Sequence, residues 1–319
     1  MDLTLAICFY NAEKYLENTL NSVINQSVQD FQLLIINDAS TDNSVNIIDD
    51  FFTENPRQYE LINLPENKGI CYGRYYAERN AKTKYLMFID ADDILFPNAV
   101  ETLWNKMQSD KDLVAVGCYL DYIDRNGKKI GGGLYLGETE KEKALEKAKK
   151  GKLLFMQPTA IYNREEALKV GGYDITGFPD GKPRYQDYCE DLDLWTRMSD
   201  LYSEGKAIVV VPEVLALYRK GGGLSANSFP MMLKMKYTKT NVKRRRAGKS
   251  NLTFVDFYNS LSAEEIQKLK KEAQVADDLR NGVFFLKSGN LIKGSKLIGR
   301  SFLKNPNYFV EKLKHNFFK

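Results

Sequence analysis

The chain has 319 residues, 43% of them apolar, and a single histidine, His315. That suits a substantial core with an appendage, and it excludes Ser-His-Asp, Cys-His and multi-histidine metal chemistry. Net charge is only +4, but from Met231 onward 20 Lys/Arg stand against 7 Asp/Glu, leaving 26 against 35 before it. An acidic body with a basic tail is the pattern of an appendage that meets an anionic surface.

Four cysteines, Cys8, Cys71, Cys118 and Cys189, lie far apart without C-x-x-C spacing, which argues against a zinc knuckle or a disulfide framework and for reduced, mostly buried thiols. Acid–base or metal work therefore falls to carboxylates. Met1-Asp2-Leu3-Thr4 enters a strand-like run with no basic leader, and the longest apolar stretch, Ala207 to Tyr218, is broken by Pro212 and Glu213. A cytoplasmic chain without a membrane span is expected.

In chain order, Leu3 to Phe9 reads as a buried strand, and Asn11 is placed to cap a helix carrying Leu16, Leu20, Val23 and Ile24 at helical spacing. Strands are expected at Phe31 to Ile36, Tyr59 to Leu64 and Tyr85 to Ile89, with helices at Val45 to Phe52 and Ile70 to Ala81. Such alternation predicts a parallel sheet flanked by helices. After Leu113 to Leu120 the elements shorten, with a hairpin turn at Asp124-Arg125-Asn126-Gly127 and a charged helix around Glu138 to Lys150. Asp174 to Tyr188 reads as a loop, and Cys189 to Leu201 as a helix. From about Phe229 the chain is basic and helical, with Lys243-Arg244-Arg245-Arg246 followed by Ile266, Leu269, Ala273 and Ala276 at three and four spacing.

Chemistry concentrates where strands end in acids. Tyr85 to Ile89 runs into Asp90-Ala91-Asp92-Asp93, and ligands of open α/β sheets bind at the carboxyl ends of strands. Hard carboxylate oxygens there select Mg²⁺ or Mn²⁺. The bland alternative is that Asp93 caps the helix after Phe96-Pro97-Asn98. The second strand ends at Asn37-Asp38-Ala39-Ser40-Thr41-Asp42, where Asp42 reads as a helix cap and Asp38 as an acceptor for a nucleobase or ribose.

Five stretches in order carry a resemblance. They are Ile7-Cys8-Phe9-Tyr10-Asn11 with Leu20, Ser22, Val23 and Gln26, the Asn37 to Asp42 turn, Asn67-Lys68-Gly69 with Ala77, Arg79 and Asn80, Asp90 to Asp93, and Glu190-Asp191 before Leu194-Trp195-Thr196-Arg197. Over roughly residues 3 to 225 the chain resembles the family 2 glycosyltransferases of the GT-A fold. The resemblance implies a Rossmann-like, mostly parallel α/β sheet flanked by helices, with a C-terminal α-helical extension. The catalytic domain would cover 1–228, with a nucleotide-sugar half to about 112 and an acceptor half from 113, and the basic extension 229–319.

The resemblance further implies an inverting, metal-dependent transfer of one sugar from a UDP-sugar to a hydroxyl of a glycan or lipid-linked glycan in surface-polysaccharide synthesis. By similarity, Phe9, Tyr10, Asn11, Asp38, Asn67, Gly69, Arg74, Asp90, Ala91 and Asp92 form the donor site. Asp92 with Asp90 would hold Mn²⁺ or Mg²⁺. Asp191 would be the general base with Glu190 beside it as an orienting or capping group; Trp195 reads as core. Many members carry Tyr-Arg-x-His, the histidine close to the metal, where this chain has Tyr218-Arg219-Lys220-Gly221. The resemblance then implies a third metal-side ligand that is missing or replaced by water or another residue, with Arg219 or Lys220 meeting the diphosphate instead, and Gly221-Gly222-Gly223 as a closing loop over the donor or a plain flexible exit from the domain.

A sugar nucleotidyltransferase is the rival enzyme, but Phe9 to Glu13 lacks the Gly- and Lys/Arg-rich phosphate loop expected after its first strand. A nucleic-acid-binding module built on the basic tail is disfavoured by the acidic body. Asn305-Pro306 predicts a last helix with Phe309, Leu313 and Phe317 in a stripe flanked by Lys312, Lys314 and Lys319. That stripe, with Lys243 to Arg246, would rest on an anionic membrane surface, or else the stripe packs on the protein's own catalytic domain or on a second subunit.

Overall fold

The computed structural model describes residues 1–157, 159–221, 224, 227–287 and 289–317, with side chains as far as 313. Two compact units divide the chain: Met1–Thr176, Cys189–Lys220 and Val242–Lys249 form the first; Gly177–Tyr188, Gly221–Asn241 and Ser250–Lys319 the second.

The first unit is built on a mixed sheet. Strands β1 (Leu3–Phe9), β2 (Gln32–Asn37), β3 (Glu60–Asn63) and β4 (Tyr85–Asp90) are separated by helices α1 (Leu16–Ile24), α2 (Ser44–Glu54) and α3 (Ile70–Asn80). There follow β5 (Ile94–Leu95), α4 (Ala99–Gln108), β6 (Leu113–Ile123), β7 (Lys129–Leu134), α5 (Lys141–Lys149), β8 (Ala160–Asn163), α6 (Arg164–Lys169), α7 (Glu190–Met198) and β9 (Ala207–Arg219). The strand order is β3-β2-β1-β4-β8-β6-β9-β5, with β7 paired to β6. β1 pairs in parallel with both β2 and β4, whereas β8 runs antiparallel between β4 and β6.

Alternation along the strands explains why their apolar runs are unbroken. Leu3, Leu5, Ile7, Leu33 and Ile35 enter a core on one face, and Ala6, Cys8, Leu34 and Ile36 a second core on the other. A sheet covered on both sides needs hydrophobic residues at every position. The hairpin turn falls where the sequence puts it, with the Gly127 N–H donating to the Asp124 carbonyl between β6 and β7.

Two expectations need correction. Asn11 does not cap α1: that helix begins at Leu16 behind Tyr15, with no side-chain cap, because the chain first crosses the turn after β2. Nor is Arg245-Arg246 a free basic edge, since both guanidinium groups pair with Asp200 inside this unit and Arg246 also covers the Tyr202 ring.

The second unit holds helices α9 (Phe254–Asn259), α10 (Ala263–Lys287), α11 (Leu291–Lys304) and α12 (Pro306–Phe317), and most of α8 (Ser228–Arg246). Residues 177–188 join it, irregular apart from one 3₁₀ turn at Tyr185–Asp187. Phe178, Tyr185, Tyr237, Phe254 and Phe257 form an aromatic cluster there, and the ammonium of buried Lys234 lies 4.1 Å from the Phe178 ring centre. The predicted start of α12 is observed, the Asn305 side chain accepting from the Tyr308 N–H. Its stripe turns inward: Phe309 is buried against Val275 and Leu279, with Leu313 beside it. Phe317 and Lys314 lack described side chains and Lys319 lies outside the described residues, as do Gly222 and Gly223 of the triple glycine. Among the described residues no helix is long and apolar enough to cross a membrane.

Candidate active site

Register brings the motifs to one edge. Phe9 pairs with Asn37, and Cys8 is level with both Ile36 and Asp90, so β1, β2 and β4 end together. The strand order also reverses at β1, since β2 and β3 lie on one side and β4 on the other. This is the switch point where open α/β sheets bind ligands. Phe9 is buried, whereas Tyr10 is exposed at the edge.

The turns leaving this edge are strained. Asn11 and Ala39 hold φ of 51° and 59°, in the left-handed region that Asn tolerates by local side-chain hydrogen bonding but that costs Ala39 about 1–2 kcal/mol. The geometry persists because the Thr41 N–H donates to Asn11 Oδ1 at 2.8 Å and the Asn11 N–H to Ser40 Oγ at 2.9 Å. Backbone strain of this kind gathers at functional sites.

Asp38 is buried and organises the neighbouring turn. Its carboxylate accepts from Asn67 Nδ2 at 2.9 Å and from the Lys68 and Gly69 N–H groups at 2.8 Å each. Gly69 precedes α3 with φ 94°, a conformation that requires glycine. Asp42 ties the next turn, accepting from the Ser44 hydroxyl and from the Glu13 N–H.

Arg74, on α3, is the centre of the acidic cluster. Only 2% exposed, it donates from Nη2 to Asp90 Oδ1 at 2.5 Å and from Nη1 to Glu190 Oε1 at 2.6 Å, above the Phe88 ring. One guanidinium thus joins the end of β4 to the first turn of α7. Ala91 is buried and Asp92 half-buried. Burial first, and then the charge of Asp90, push the Asp92 carboxyl up to about 6.

Asp93 is not a helix cap, because α4 begins later, behind Asn98. Its buried carboxylate accepts the Arg219 N–H at 2.9 Å. The Arg219 guanidinium donates to the carbonyls of Asp92 and Asp124 and lies 4.2 Å from the Tyr15 ring centre. Arg219 therefore braces the acidic turn through backbone oxygens. Lys220 sits over the Tyr122 and Tyr218 rings.

Glu190 and Asp191 open α7 behind Cys189, which holds φ 52° and offers no side-chain cap. The free N–H groups of a helix start favour acids there. Burial lifts the Glu190 carboxyl to about 8, the Arg74 charge drawing it the other way, and raises Asp191 in the same manner. Tyr173 completes the cluster without any signal in the sequence. Among the described residues its buried hydroxyl has no hydrogen-bond partner; its ring meets Phe88 edge-on, and Arg74, Glu78, Glu190 and Asp191 are the charges around it. Trp195 is fully buried in the core, as expected.

Asp90 and Asp92 suit a divalent cation: two hard carboxylates stand close, and the proton affinity of Asp92 is raised by burial first and then by the charge of Asp90, a charge that a cation would offset. Among the described residues no three potential ligands are grouped. Two carboxylates completed by phosphate oxygens are nonetheless a common protein share for Mg²⁺.

The chain is similar to several known proteins. It is 24% identical over 282 residues, 86% of its length and 82% of the relative's, to an uncharacterised glycosyltransferase of Haemophilus influenzae. It is 37% identical over 113 residues to a teichoic acid poly(glycerol phosphate) polymerase of Staphylococcus epidermidis, but the alignment spans only 35% of this chain and 16% of that one. In fold it resembles S. aureus TarS 1-349 in complex with UDP-GlcNAc (TM-score 0.53, 17% identity, 94% of this chain and 91% of that). It also resembles the mannosyltransferase PcManGT of Pyrobaculum calidifontis in complex with GDP-Man and Mn²⁺ (TM-score 0.56, 16% identity, 100% and 88%). The Glycosyl transferase family 2 profile matches residues 4–172, more than half of the chain and all of the β1-to-β4 edge that carries the strand-end acids, and the chain belongs to that family of glycosyltransferases.

Proposed function

We propose that this enzyme transfers one sugar from a UDP-sugar to a hydroxyl of a glycan or lipid-linked glycan, with inversion, in the assembly of a bacterial surface polysaccharide. The observation that carries the reading is the Asp90–Arg74–Glu190 bridge, which sets the acids expected to hold a cation beside those expected to handle the acceptor proton. Asp38 and the 67–69 turn form the base subsite, with Tyr10 and Asn11 across from it. Asp92 and Asp90 would hold Mn²⁺ or Mg²⁺, whose Lewis acidity would supply charge neutralisation for a departing diphosphate.

Asp191 accepts the proton of the acceptor hydroxyl as that oxygen attacks the anomeric carbon opposite the leaving group. Its raised proton affinity brings it nearer neutrality than an ordinary carboxylate, which suits a general base. Glu190, held by Arg74, fixes the helix turn from which Asp191 acts. The neighbours bound to UDP-GlcNAc and to GDP-Man support a nucleotide-sugar donor. Titration calorimetry separates the bases. UDP should bind in the presence of Mn²⁺ and weakly without it, and more tightly than GDP; equal affinity for GDP would overturn the uridine assignment.

A further inference from the structure

The second unit carries an apolar surface that its own packing touches only at Phe302, whose ring meets the buried Phe309 ring edge-on with 5.5 Å between centres. Leu291, Ile292, Phe302 and Leu303, all on α11, are exposed by 65, 86, 44 and 80%. On a helix turning about 100° per residue these four, with Ser295 and Gly299, fill one continuous sector of about 120°. The buried residues Gly294 and Ser301 lie on another side, against α10. The third sector holds Lys293, Lys296, Arg300 and Lys304, and α11 contains no acid.

We infer that α11 docks this enzyme on an anionic membrane surface, the Leu291/Ile292/Phe302/Leu303 face entering the headgroup region and the lysines beside it meeting lipid phosphates. An interfacial helix has this composition: an apolar face, a basic flank and a length set by neither. Charge decides the occupant. Asp278 pairs with Arg300 and lies 3.4 Å from Lys304, but among the described residues no carboxylate pairs with Lys293 or Lys296, and Lys293 rests on the Phe285 ring. A second copy meeting this face about a two-fold axis would set the same cations against one another; an anionic leaflet attracts them. The surface is α11 and not α12, whose Phe309 is buried in the unit's own core. The inference is independent of the donor assigned above.

Flotation of the full chain with phosphatidylcholine vesicles, with and without phosphatidylglycerol, tests it. The chain should float with the phosphatidylglycerol vesicles alone, and less at high salt. The variant Ile292→Asp/Leu303→Asp should lose binding by about tenfold or more at an unchanged melting temperature. Lys293→Glu/Lys296→Glu should lose the preference for anionic vesicles. Flotation of the first variant at the wild-type level, no flotation of the wild type at low salt, or a light-scattering dimer that Ile292→Asp/Leu303→Asp dissociates without any vesicle binding would each overturn the proposal.

Discussion

Arg74 joins two carboxylates separated from it by 16 and 116 residues, and it is almost without solvent. Removing one partner of such a buried pair leaves uncompensated charge and costs about 3–5 kcal/mol. Arg74→Met should therefore lower the melting temperature, and the loss should depend on pH. Glu190 already has a folded-state proton affinity above its ordinary value, so the stability it contributes is present at low pH and lost as pH rises towards about 8. Without Arg74 the Glu190 carboxyl is pushed higher still, so that loss runs on to higher pH, and the gap between wild type and variant should stay level below about pH 7 and widen as pH rises through about 8 in thermal melts. A gap that narrows over that range would show that Glu190 is not held by Arg74. Sequence placed Arg74 in the donor site but could not show its partners, since Glu190 reaches it only through the fold. Tyr173 was invisible for the same reason: a lone tyrosine after two glycines has no local pattern to mark it.

At the level of elements, the paired ends of β1, β2 and β4 set the site, and the α10–α11 hairpin sets the basic extension. The hairpin depends on close backbone approach: a Cβ on Gly282 would lie 2.7 Å from the Ile298 side chain and 3.1 Å from the Gly294 carbonyl. Gly282→Val should weaken the hairpin by about 1–3 kcal/mol, the usual cost of overpacking. Hydrogen exchange should then speed up in α10 and α11 amides while those of β1 and β4 keep their protection; wild-type exchange in α10 would contradict this packing. The strands are legible because a sheet covered on both faces needs unbroken apolar runs, and the run Leu3 to Phe9 coincides with β1 at both ends. Asn11 is not legible in the same way, because an Asn just before an apolar-periodic stretch looks the same whether it caps the helix or turns left-handed to bind Thr41. The stripe of α12 was legible as a stripe, but amphipathicity does not say which surface it covers, and here α10 takes Phe309.

Across the whole molecule, the β3-β2-β1-β4 order delivers Asp38 and Asp90 to one edge, and the chain that returns through α7 adds Glu190 and Asp191. The family profile covers residues 4–172 and so reaches the strand-end acids but not α7. The assignment of Asp191 thus rests on the Arg74 bridge and the order of motifs. If these acids work as one metal-dependent transfer site, turnover of a panel of nucleotide sugars with Mn²⁺ reveals it. Wild-type enzyme should turn over a UDP-sugar, chelation by EDTA should stop it, and Asp191→Asn should bind UDP normally yet react slower by about 10² or more, the scale of general-base catalysis. Undiminished turnover by Asp191→Asn would exclude Asp191 as the general base, and equal rates after chelation would exclude a metal-dependent site.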